Sequence, residues 1–128
     1  VLEEYFHGEH RDKPHMTRSA AKSVTAVIVG AAIQAGAKLS LTSPVYEVMN
    51  DGTFPPDLPP PKRTMTLEHL LTMSSGFFCD DNNDAAPGNE ETMWDQTAEP
   101  DFYRFILKVP LATPPGENAV YCSTSPNL

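Results

Sequence analysis

No run of about 18 or more apolar residues interrupts this sequence, so nothing in it reads as a membrane-spanning helix. Basic residues are scarce, with 9 Lys+Arg against 17 Asp+Glu and a formal net charge of −8. A chain without a basic stripe has nothing to meet phosphates along a nucleic acid or an anionic membrane surface, so neither partner is expected. There are 2 cysteines, Cys79 and Cys122, without metal-ligand spacing or a redox motif; they leave pairing open and say little about compartment. No secretory leader is visible, but the first residue is not Met and Val1 to His7 reads as the end of a strand, so that absence carries no information on localisation. Repeats are missing, and the low-complexity content stops at proline.

Proline is abundant at 13 residues, with several in Phe54-Pro55-Pro56-Asp57-Leu58-Pro59-Pro60-Pro61. Long surface connections are expected there. Apolar residues make up 40% and charged residues 20%, a balance that permits a packed core and excludes a solvated disordered chain. The 128 residues suit one domain. His7, His10 and His15 sit in a polar loop with no carboxylate at a matching position, and they read as loop residues rather than metal ligands. Asp80, Asp81, Asp84, Glu90 and Glu91 concentrate acid in Phe77 to Glu91, which reads as a solvated loop. It lacks the glycine and terminal glutamate of an EF-hand loop.

The clearest element is a helix over about 19–35. Ser19 is a good N-cap, and no Gly or Pro interrupts the run until Gly30. Val24, Val27, Ile28, Ala31, Ala32 and Ala35 recur at helical spacing, and Ala20, Ala21, Ala26, Val29 and Ile33 make the other faces apolar too. Such a helix is expected to be buried, with Gly36 closing it. Shorter helices are expected from Pro44 through Met49 with Ser43 as cap, from Leu67 to Met73 with Thr66 as cap, and from Asp101 to Lys108 with Phe102, Phe105 and Ile106 on one side. Pro126 can open another.

Lys22 stands out as the only charge between Ser19 and Ala37. Burial favours the neutral form of an amine, and a lysine so placed either snorkels to solvent or serves chemistry. At i+3 from Ser19 it shares that residue's helix face. Serine is a weak nucleophile until a neighbour takes or tunes its proton, and a first-turn backbone N–H has no helical partner and is free to meet an oxyanion. A bare Ser-x-x-Lys is nonetheless short and common, and alone it is better read as a capping serine beside a solvated lysine.

Three segments together resemble the serine β-lactamase, DD-peptidase and esterase superfamily. The first is Met16-Thr17-Arg18-Ser19-Ala20-Ala21-Lys22-Ser23-Val24-Thr25, which looks like that family's Ser-x-x-Lys helix. The second, Met65-Thr66-Leu67-Glu68-His69-Leu70-Leu71-Thr72-Met73-Ser74-Ser75-Gly76, is similar almost word for word to the family's I-T-L-R-H-L-L-T-M-T-S-G and is the most specific match. The third, Pro115-Gly116-Glu117 followed by Tyr121-Cys122-Ser123, resembles P-G-x-x-f-x-Y-S-N. The resemblance implies an α+β fold of the β-lactamase/transpeptidase type, of which residues 1–128 would form an incomplete domain: the mainly helical portion, with long loops and at most a remnant strand at the N-terminus. It implies Ser19 as the acylated nucleophile, Lys22 as its proton acceptor or the residue that tunes the base, and Tyr121 as second base or shuttle. Ser123 stands where most β-lactamase-like members carry Asn. That variant is similar to the nylon-oligomer hydrolase and esterase branches, which favours a small ester or amide substrate over a β-lactam.

β-Lactamase or D-Ala-D-Ala carboxypeptidase activity is the alternative within the enzyme class. A non-catalytic binding relative is the alternative outside it. His69 is expected to pack rather than to catalyse. No cofactor and no metal is implied, because the acyl-enzyme route needs neither. The resemblance further leads one to expect a closing motif after Leu128 and more sheet before Val1, and little activity from residues 1–128 alone.

Overall fold

The structure, a computed structural model, describes residues 2–95 and 99–127. Among the described residues five α-helices follow one another: α1 (Ala20–Gln34), α2 (Val45–Val48), α3 (Leu67–Leu71), α4 (Glu90–Trp94) and α5 (Phe102–Lys108). Two short 3-10 turns, Pro60–Thr64 and Ser125–Asn127, complete the regular structure. Among the described residues the sheet content is two isolated antiparallel bridges, Pro44 with Thr66 and Phe77 with Leu111.

The N-terminal strand expected over Val1 to His7 is not formed by residues 2–7; Val1 lies outside the described residues. A strand is held by its ladder, and no described segment pairs with this one. It is instead tied down by side chains, with Arg11 paired to Glu3 and the Tyr5 hydroxyl donating to Glu3 at 2.5 Å.

α1 is the longest element, at 15 residues. Its end follows the expected chemistry. Gly36 takes a φ of 90°, its N–H bonds the Ile33 carbonyl, and the Ala37 N–H bonds that of Ala32. This is the paired closure that a left-handed residue after a helix permits. The expected burial of α1 is not observed: none of its residues is buried, and Val24, Val27 and Ile28 are 55%, 71% and 61% exposed. The apolar faces are as read from the sequence, but none is more than partly covered among the described residues, with Val29, Ala32 and Ile33 half-buried.

The core lies elsewhere. Val45 and Tyr46 of α2, Leu70 of α3 and Ile106 of α5 meet Leu58, Met65, Phe77, Cys79, Val109 and Cys122, and Met65 and Ile106 have no exposure at all. The proline-rich segment contributes rather than merely connecting. It delivers Leu58 to the core and then turns through Pro60–Thr64, which carries Lys62 inward. Lys62 donates to the Leu107 carbonyl at 2.7 Å, and its ammonium faces the rings of Tyr46 and Phe77. Burial lowers its pKa, and the ring faces offset part of the cost of burying the charge. The Tyr46 hydroxyl is buried without a hydrogen-bond partner, and burial drives its pKa upward.

The short helices depart from expectation at their ends. α2 is capped by Pro44 rather than by Ser43, whose hydroxyl accepts the Ser40 N–H instead. α3 stops at Leu71 because Met73 takes a φ of 59°, with Ser74 N–H returning to the His69 carbonyl at 2.8 Å. At its start His69 supplies the third-position half of a capping box, its Nδ1 accepting the Thr66 N–H at 3.2 Å. α4 begins in the last two residues of the stretch read as a solvated loop and runs on past it. Its cap is Asn89, which accepts the Thr92 N–H at 2.7 Å. α5 is as expected, capped by Asp101 through the N–H groups of Tyr103 and Arg104.

Candidate active site

Ser19 stands at the entrance to α1, but it does not cap the helix; its side chain makes no bond to the first-turn amides. The hydroxyl is thereby left for other partners. Lys22 Nζ donates to Ser19 Oγ at 3.2 Å, as one turn of helix allows. Tyr121, 102 positions along the chain, donates its hydroxyl to the same oxygen at 2.8 Å. The Lys22 ammonium also lies 5.3 Å from the centre of the Tyr121 ring. Ser19 and Tyr121 are exposed and Lys22 is half-buried, so the three groups meet at a surface a substrate can reach.

The residue before Ser19 is strained. Arg18 has a φ of 47°, a conformation that non-glycine residues rarely adopt. Strain of this kind persists where surrounding structure requires it, and functional sites are its usual home. Here it turns the chain sharply from Thr17 into α1, with the Ala20 and Ala21 N–H groups bonding the Thr17 and Arg18 carbonyls. No carbonyl among the described residues accepts the Ser19 N–H. That leaves it available to a developing oxyanion.

Tyr121 is placed by the packed part of the chain. The segment 73–78 runs beside 110–120, joined by bonds from Phe78 N–H to the Pro110 carbonyl at 2.7 Å, Ala112 N–H to Gly76 at 2.8 Å, Gly116 N–H to Ser74 at 2.8 Å and Val120 N–H to Met73 at 3.0 Å. The second and third motif segments are thus one structural unit. Gly116, at a φ of 87°, lies so close to the His69 ring that a Cβ there would sit 2.9 Å from Nε2. His69 serves the α3 cap and this contact. Beyond Tyr121, Cys122 is disulfide-bonded to Cys79 with a Cα–Cα distance of 5.6 Å, which resolves the pairing left open by the spacing. Asp81 completes the hold. Its N–H donates to the Tyr121 carbonyl at 3.2 Å, and its carboxylate accepts the N–H groups of Ser123 at 2.8 Å and Glu90 at 3.1 Å.

An open groove of about 490 Å³ runs past Ser19 and Lys22, bounded by Met16, Arg18, Thr25, Glu90, Glu91, Trp94, Ser123 and Pro126. Ser123 borders it from a buried position, with its hydroxyl donating to Glu90 at 3.3 Å. Of the four residues singled out from the sequence, Ser19, Lys22 and Tyr121 are in mutual contact, and Ser123 lines the adjoining wall. Arg18, Asp81, Glu90 and Trp94 were not anticipated. Backbone strain at Arg18 leaves no mark in residue type, and the amides that Asp81 accepts lie 9 and 42 positions away, beyond any local pattern.

Among the described residues no group of His, Cys, Asp and Glu is arranged to hold a metal ion, and no helix is long and apolar enough to cross a membrane. No curated protein matches the chain. The Beta-lactamase family model matches residues 3–128. With a Ser-x-x-Lys pair and a distant tyrosine converging on one hydroxyl, and with that match spanning nearly every residue, the chain belongs to the Beta-lactamase family.

Proposed function

We propose that the protein is a serine hydrolase that cleaves a small ester or amide through an acyl-enzyme at Ser19. One observation carries this reading: Ser19 Oγ is bonded at once by Lys22 Nζ and Tyr121 OH. Either partner, when deprotonated, can take the serine proton. Oγ then bonds to the acyl carbon, the bond to the alcohol or amine leaving group breaks, and the proton passes to that leaving group. Water reverses the route, releasing the acid and restoring the Ser19 hydroxyl. The unbonded Ser19 N–H supports one oxyanion contact.

Small ester and amide substrates are favoured over β-lactams because Ser123, rather than Asn, borders the groove. Trp94 offers a half-open apolar wall there, at 65% exposure. On this reading the chain is the helical portion of an α+β hydrolase domain.

The test treats the full-length protein, with any sequence flanking this chain retained, with a fluorophosphonate probe and separately with a fluorescent penicillin. Peptide mapping locates each adduct. Labelling of Ser19 by the fluorophosphonate alone is the expected result. Labelling by both would move the assignment to a penicillin-recognising enzyme. No adduct at Ser19 from either would leave a binding relative without acyl chemistry.

A further inference from the structure

We infer that Asp81 is a positioning residue for the reaction, acting through Tyr121; the inference rests on the acyl-enzyme reading above. Tyr121 is 48% exposed, so little packing fixes its ring, and the reach of its hydroxyl to Ser19 depends on where its backbone is held. Asp81 holds that backbone on both sides. Its N–H bonds the Tyr121 carbonyl, and its Oδ2 accepts the Ser123 N–H two residues on. The other carboxylate oxygen, Oδ1, accepts the N–H of Glu90 at the start of α4. One half-buried carboxylate therefore ties the Tyr121-Cys122-Ser123 turn to the helix that forms the far wall of the groove. Bonds to an ionised acceptor are about twice as strong as neutral ones.

The neighbouring acids do not share this arrangement. Asp80 closes a local turn through the Asn82 N–H at 2.9 Å, and Asp84 is exposed at the tip of the loop. The Cys79–Cys122 disulfide anchors the same turn from the core side, but it leaves the carbonyl of Tyr121 and the amide of Ser123 to Asp81. A displacement of about 1 Å at a reacting group can cost on the order of 10²-fold in rate. The distance that Asp81 protects is the 2.8 Å between Tyr121 OH and Ser19 Oγ.

The experiment measures the second-order rate of fluorophosphonate reaction at Ser19, and kcat and KM for a p-nitrophenyl ester, in the full-length protein. The variants are Asp81→Asn, Asp81→Glu and Asp84→Asn, each made alone and together with Tyr121→Phe, with Ser19→Ala and Tyr121→Phe alone as controls. With Tyr121 present, Asp81→Asn is expected to slow labelling about 10- to 100-fold. It should lower kcat to match and leave KM within about twofold. Asp81→Glu, which keeps both acceptor oxygens, gives a smaller loss, and it carries the test if Asp81→Asn fails to fold. Asp84→Asn leaves the rate unchanged. In the Tyr121→Phe background the Asp81 substitutions cost less than about twofold, because the group they position is gone.

An equal loss in both backgrounds overturns the inference, since it would mean that Asp81 supports the fold without acting through Tyr121. No loss in either background overturns it too. If Ser19→Ala is still labelled, the acyl-enzyme reading itself fails and the inference falls with it; if Tyr121→Phe reacts at the parental rate, the inference alone is overturned, because Lys22 can then serve as the base.

Discussion

Ser19 and Tyr121, whose hydroxyls meet at 2.8 Å, come from two regions built on opposite terms. α1 carries Ser19 and Lys22 on a helix with no buried residue. Tyr121 hangs from a body in which α2, α3, α5, the proline-rich segment and a disulfide close around Met65 and Ile106. The two lysines mark the same contrast. Lys22 sits half-buried beside the Ser19 hydroxyl, whereas Lys62 is buried deep against two aromatic rings and a backbone carbonyl. The proposed chemistry and the packed core are therefore located in different places, and substitutions should separate them.

The largest expected effect tests the first half of that contrast. Ser19→Ala should remove fluorophosphonate labelling and lower turnover by on the order of 10⁴-fold or more, as loss of a serine nucleophile does elsewhere. It should leave the thermal midpoint within a few degrees, because the lost hydroxyl supports neither the helix cap nor the core. A large fall in thermal midpoint would show that the Ser19–Tyr121 contact helps hold the two regions together.

Next comes the disulfide, which belongs wholly to the body. Cys79 and Cys122 are separated by 43 positions, and closing a loop of that length is worth roughly 4 kcal/mol in the chain-entropy account. The double substitution of Cys79 and Cys122 by serine should lower the unfolding free energy by about that amount in denaturant titration. Treatment of the parent with a reductant should reproduce it. Equal stability of the oxidised and reduced forms would refute the staple. Ile106→Ala follows, with an expected loss of about 2–5 kcal/mol for a fully buried aliphatic side chain; a loss under about 1 kcal/mol would mean that the core is not centred on α5.

The division was only half legible in the sequence. The meeting of Ser19, Lys22 and Tyr121 could be anticipated because motif resemblance survives across distance in the chain, and local signals found α1, its Gly36 closure, the Thr66 cap and the helix that ends at Lys108. Three kinds of feature were hidden. The first is left-handed backbone at non-glycine residues: Met73 ends α3 before its apolar pattern does, and Arg18 bends the entry to α1. The second is the long-range polar bond. Asp81 reads as one more solvated acid until its carboxylate is seen on the amides of Ser123 and Glu90. The third is the packing partner. Periodicity tells that a face is apolar, and it does not tell what covers it. Among the described residues, no strand pairs with segment 2–7, and no residue of α1 is buried.

The smallest expected effect bears on that last point. Val27 is the most exposed of the large apolar residues of α1, at 71%. If the helix stands as described, Val27→Ala removes little buried area and exchanges a β-branched residue for the best helix former. The change should then fall within about 0.5 kcal/mol of zero, with a slight gain from helix propensity. Ile106→Ala, measured beside it, supplies the scale. The comparison is best made twice, in residues 1–128 and in the protein with any flanking sequence retained. A near-zero effect in both would keep α1 outside the core. A loss above about 1 kcal/mol in the longer protein alone would mean that flanking sequence covers this face, as burial of its apolar area would require. A loss of that size in residues 1–128 as well would break the contrast between the regions, because α1 would then be packed on the body.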